Sequence, residues 1–250
     1  MPIRSSSSAS RLVLEVRDFF RASLVQPLEH GPAAPEGPAL RRRIVSGVTL
    51  VVGAVALGLA ISVRPGDPAF YPWALGVAAI WTIGAFASGP LYLGRGRTRA
   101  GGTSLSVVQS LILGGLLLVL FLAGGLVVAR IPVLRGPVDT LLDHARYGSL
   151  ALVTITTVVS GVAEEIFFRG ALFAALPPRW RVMGSSVLYA IATVFTGVPL
   201  LVLAALALGL LVSAQRRVTG GFLGPVITHL TWSVGMLYLL PLTLDLGRIP

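Results

Sequence analysis

The sequence predicts an all-α fold: a polytopic membrane bundle of about seven transmembrane helices with its N-terminus on the inner side. Three observations carry this. Hydrophobic residues make up 54% of the 250 and charged residues 12%, against about 25% charged in an ordinary soluble domain; mean hydropathy is +0.84. The apolar residues gather into runs near the roughly 20 residues that cross a bilayer. The arginines collect in the short segments between those runs, where they set orientation.

The first 43 residues are polar and basic. They contain no short apolar core followed by a cleavage site, so no cleaved signal peptide is expected. Within them "RLVLEVRDFFRASLV" sets Leu12, Val16, Phe19, Phe20 and Leu24 at helical spacing between arginines. That is the pattern of an amphipathic helix on the inner leaflet, or equally of a basic tail. Residues 30–40, "HGPAAPEGPAL", read as a linker.

Seven spans follow: Ile44–Val63, Phe70–Gly89, Leu105–Ala129, Ser149–Leu176, Gly184–Thr196, Val198–Ala214 and Gly221–Pro241. The fifth is short and must borrow from "PPRWRVM" before it or pack against neighbours. Residues 44–148 hold the first three spans and their loops, residues 149–241 the last four, and residues 242–250 a short tail. Between spans three and four, "RGPVDTLLDHARYGS" predicts a short helix on the outer surface. With the N-terminus inside, inner segments hold fourteen arginines and outer segments five, Arg64, Arg130, Arg135, Arg146 and Arg248. This imbalance is the basis for placing the N-terminus inside and the C-terminus outside.

The net charge of +10 would suggest nucleic acid in a soluble protein. Here orientation in a membrane accounts for it, and nucleic acid is excluded as a partner. The absence of cysteine excludes disulfides, a thiolate nucleophile and a cysteine-ligated metal. The expected location is the cell membrane, as a multi-pass protein in contact with lipid.

Glu164, Glu165 and His229, with Arg169 beside them, stand in the wrong solvent. Of ten acidic residues only Glu164 and Glu165 fall within a predicted span, and of three histidines only His229. Each charge at a bilayer centre costs about 2.5–3.5 kcal/mol on insertion scales, so each needs a reason. Glu165 and Arg169 are four apart on a helix and face each other, a pairing that a purely structural role covers. Glu164 points about 100° away from Glu165 and has no partner within its own helix, which makes it the candidate general base. His229 lies in "GPVITHLTWS" with Ser233 one turn on. It reads either as a site residue or as a helix-to-helix hydrogen bond. Pro225, four residues earlier, is expected to break the helix and free the carbonyl of Gly221.

No HExxH is present, and one histidine with one free carboxylate is thin for zinc, which usually takes three protein ligands. No cofactor is expected; a divalent metal, if one binds, would have Glu164 and His229 as its ligands. No serine elbow is present. What remains is a carboxylate that activates water, with nearby donors for the oxyanion. A transporter would share the intramembrane charges, but no paired repeat of broken helices is visible.

"EEIFFRG" resembles the EExxxR signature of the CPBP intramembrane protease family, which includes type II CAAX prenyl endopeptidases and relatives linked to bacteriocin processing. The similarity spans roughly Ser149 to Pro241. It implies a membrane-embedded endopeptidase acting on membrane-associated peptides or proteins, with residues 149–241 as its catalytic core. It assigns Glu164 as the water-activating base, Glu165 with Arg169 as the supporting pair, and His229 as a donor to the oxyanion. The family's FxxxH motif falls on Tyr189 and Thr193, so threonine stands where the family has its second histidine. The HxxxN/D motif falls on His229 and Ser233. Threonine can hydrogen-bond a water but accepts no proton near neutral pH. The alternative function is therefore a relative that has lost catalysis and binds or regulates at the membrane.

Overall fold

A backbone in lipid has no water to satisfy its polar groups, so each crossing segment must bond to itself as a helix. In the computed structural model, which describes residues 8–27, 39–98 and 102–247, the chain does this almost throughout. The elements are α1 (Ser8–Phe20, then a wider turn Arg21–Val25), α2 (Ala39–Ile61), α3 (Phe70–Ser88), a small hairpin of β1 (Gly96–Arg97) and β2 (Thr103–Ser104), α4 (Val107–Val128), α5 (Pro132–Tyr147), α6 (Leu150–Glu165), a π-helical stretch (Ile166–Leu172), α7 (Phe173–Ala175), α8 (Arg181–Val194), α9 (Pro199–Thr219) and α10 (Leu223–Leu246). The linker at 30–40 lies outside the described residues except for its last two, which begin α2. Arg4, Arg99 and Arg248 also lie outside them.

Among the described residues six helices are long and apolar enough to cross a membrane: α2, α3, α4, the continuous Leu150–Ala175, α9 and α10. The fifth predicted span does not reach this length. It is α8, with 14 residues, about 21 Å of helix against a hydrocarbon core of about 30 Å. It packs between α2 and α9. The bundle is thus all-α and multi-pass, as the composition predicts, with six helices of full crossing length among the described residues.

Large aromatics fill the centre. Trp81 of α3 is fully buried and stacks on Phe167 at 4.8 Å between centroids, with Phe168 against both. Gly53 of α2 makes room, since a Cβ there would meet the Trp81 ring. Close helix contact through small residues is the usual packing device in lipid, and α4 and α10 use it as well. Gly114 lies against the Thr228 carbonyl and the Thr231 side chain. Beside it a buried polar chain crosses three helices. Thr228 Oγ1 donates to Gln215 Oε1 (2.9 Å), and Gln215 Nε2 donates to Ser110 Oγ (2.9 Å).

The turn from α9 to α10 is held from outside. Leu223 N donates to Leu93 O, Phe222 N to Tyr92 O, and Thr219 O accepts from Arg95 N. The loop after α3 thereby satisfies groups that a helix end leaves open. Pro225 falls in the first turn of α10 rather than in mid-helix, where its missing N–H costs little. The expected break is therefore absent, and Gly221 O accepts from Thr219 Oγ1 at 3.2 Å. At its other end α10 runs past Pro241 to Leu246, so Asp245 belongs to its last turn.

The predicted surface helix is α5. Its Arg135 and Arg146 both reach Asp139, at 2.8 and 3.0 Å. Burial pushes the Asp139 carboxyl up, but hydrogen bonds from the two arginines outweigh it and hold the group below the usual carboxylate range. On α1 the apolar side chains Leu12, Val16 and Phe20 are exposed, as a helix lying on a leaflet requires.

The N-in orientation has a direct test. Ala69 and Ser104 are exposed and lie near opposite ends of α3. In intact cells, Ala69→Cys is expected to react with an impermeant thiol reagent and Ser104→Cys to be shielded. The opposite labelling pattern reverses the orientation.

Candidate active site

The site is built where α6, α8 and α10 meet under the α3 aromatics. The segment from Glu165 onward widens into a π-helix over Ile166–Leu172, a local form that recurs at functional sites. Widening shifts backbone carbonyls out of their α-helical partners, and other helices supply donors. Ser185 Oγ of α8 donates to Phe168 O at 2.8 Å. Arg216 Nε of α9 donates to Arg169 O at 2.7 Å, its guanidinium over the Phe173 ring.

Glu165 and Arg169 pair as expected, with Arg169 Nη1 donating to Glu165 Oε1 at 3.1 Å and both side chains wholly buried. The same oxygen lies 2.8 Å from His229 Nδ1, a contact that spans α6 and α10. A carboxylate at this position accepts from an Nδ1–H, leaving Nε2 as the nitrogen free to act. Glu165 Oε2, Arg169 Nε and Arg169 Nη2 are buried without a hydrogen-bond partner among the described residues.

Glu164, half-buried, does have a partner, supplied by another helix. Tyr189 of α8 donates its hydroxyl to Glu164 Oε2 at 2.6 Å. The Tyr189 ring also carries the Arg169 guanidinium, with Cζ 4.7 Å from its centroid, and lies 6.5 Å from the His229 ring. Tyr189 is a member of this network that the reading of charges alone passes over, because its phenol is uncharged and its partner lies on another helix.

Thr193 shares the buried face of α8 with Tyr189. Its hydroxyl is turned into its own helix and donates to Ala190 O at 2.8 Å. Ser233 lies one turn beyond His229, and its Oγ is buried without a partner among the described residues, as is Trp232 Nε1. The structure thus brings Glu164, Glu165, Arg169 and His229 into one network through Tyr189 and Glu165. Among the described residues Thr193 and Ser233 make no hydrogen bond to that network. Among the described residues no group of three or more histidine, cysteine or carboxylate side chains stands together as a metal-ligand set.

No curated protein and no solved structure matches the chain. Residues 146–235 match the model of a protein family, described as Rce1-like type II CAAX prenyl endopeptidase. The matched segment contains every site residue named above. Over this segment the chain is similar to the Rce1-like type II CAAX prenyl endopeptidases, a family of proteases.

Proposed function

We propose that the chain is an intramembrane endopeptidase of the cell membrane that cleaves membrane-associated peptides or proteins with a glutamate-activated water. One observation supports this above the rest. Two adjacent carboxylates have separate environments, Glu165 engaged by a cation and an imidazole and Glu164 by a single phenol. A pure packing role needs only the first.

In this reading Tyr189 fixes Glu164 through Oε2, and Oε1 takes a proton from water as the water oxygen attacks the peptide carbonyl. The tetrahedral oxyanion accepts hydrogen bonds from His229 Nε2 and Ser233 Oγ. The ring donates from Nε2 when both its nitrogens carry protons, with Glu165 as its counter-charge. The peptide C–N bond then breaks as Glu164 returns its proton to the leaving nitrogen. Arg169 holds Glu165 in place.

A second reading rests on Thr193. With its hydroxyl bonded to Ala190 O, nothing at that position takes a proton, as a family member that only binds or regulates would show. Purified protein on a quenched membrane-peptide library separates the two. The protease reading expects turnover by wild type and a loss within about tenfold in Thr193→Val, the scale of one hydrogen bond. Cleavage that appears only in Thr193→His, with inert wild type, assigns the second reading.

A further inference from the structure

Arg42 enters α2 with its side chain only 5% exposed. Its Nη2 donates to Pro90 O at 3.2 Å, while Nη1 is buried with no partner among the described residues. Gly89 permits this, because a Cβ there would stand 2.6 Å from Nη2. Arg42 lines a cavity of about 190 Å³ together with Arg43, Arg181, Leu176, Pro177 and Pro178. Arg181 spends its Nε on Leu176 O at 3.2 Å. Arg216, buried nearby, is close enough to Arg181 for their charges to repel.

No carboxylate among the described residues forms an ion pair with Arg42, Arg43, Arg181 or Arg216. Several cations about one cavity, one of them buried with an unused N–H, are costly without an anion. The complementary anion has several oxygens to accept from guanidinium forks, which is the chemistry of phosphate.

The surroundings point to the source of that phosphate. Leu40, Ile44, Val48, Val51 and Val55 form an exposed stripe along α2 at helical spacing. Arg43 stands between this stripe and the cavity, which also has an apolar wall of leucine and proline. A free phosphate has no use for either apolar surface, whereas a lipid uses both. We infer that the Arg42–Arg43–Arg181 cavity binds the phosphate of an anionic lipid headgroup, with acyl chains along the α2 stripe. The site is separate from the Glu164 network and does not depend on the protease reading.

The test uses the full chain, purified in neutral detergent, delipidated and titrated with phosphatidylglycerol, with bound lipid counted by native mass spectrometry. Arg43→Gln with Arg181→Gln changes the more accessible rim and spares the buried Arg42. The pair is expected to weaken phosphatidylglycerol binding roughly 30-fold, from the attraction of two arginines near an anionic surface. Unchanged binding overturns the proposal. Equal affinity of wild type for phosphatidylcholine overturns it too, since the site would not be reading net charge. A thermal stabilisation by inorganic phosphate alone that equals the lipid's, and is lost in the double variant, overturns the lipid source and leaves a site for free phosphate.

Discussion

Glu164→Gln is expected to lower peptide turnover by about 10²–10⁴ while folded yield and melting stay close to wild type. The amide keeps the size of the side chain and an oxygen that can still accept from the Tyr189 hydroxyl, now 2.6 Å from Oε2. What disappears is the group that takes a proton from water. The structural cost is at most that of one altered hydrogen bond, about 0.5–1.5 kcal/mol. Initial rates on one quenched peptide, beside a thermal melt of the same preparation, read both quantities. Activity that survives Glu164→Gln removes the proposed mechanism, and a variant that fails to fold assigns Glu164 to the scaffold.

Much of this was legible in the residues. The cost of charge in lipid singled out Glu164, Glu165, Arg169 and His229, and helical spacing alone paired Glu165 with Arg169. The partners that come from other helices were not legible, because spacing says nothing about what packs across a bundle. Tyr189 reaches Glu164 from 25 residues away, and His229 reaches Glu165 from 64 residues away. The π-helical widening after Glu165 is likewise tertiary, held by Ser185 and Arg216 through carbonyls of Phe168 and Arg169. Hydropathy registers the apolar character of α8 but not that its helix has only 14 residues, shorter than the six others. Pro225 misled for a related reason. Proline breaks a helix interior but is neutral in a first turn, and where α10 begins depends on the α9 turn and the loop that clamps it.

Glu165→Gln is expected to act in the opposite way to its neighbour, with a stability loss of roughly 3–5 kcal/mol, the scale for removing one partner of a buried ion pair. The substitution deletes the only carboxylate within ion-pair distance of Arg169 among the described residues, and Arg169 already carries two buried nitrogens without partners. It also removes the charged acceptor of His229 Nδ1, which weakens one of the two side-chain hydrogen bonds that join α6 to α10 among the described residues. Lower expression, a reduced melting temperature in detergent and aggregation on size exclusion are the readouts. A compensating change separates charge from shape. Glu165→Gln with Arg169→Met removes the stranded cation, and replacing a buried pair by apolar groups is often neutral or stabilising. The double variant should therefore recover much of the melting temperature while remaining inactive, because His229 still lacks its carboxylate and Tyr189 has lost the guanidinium on its face. Recovery of stability without activity places Glu165 in both the scaffold and the site. A single variant as stable as wild type shows instead that the Glu165–Arg169 pair does not hold the bundle together.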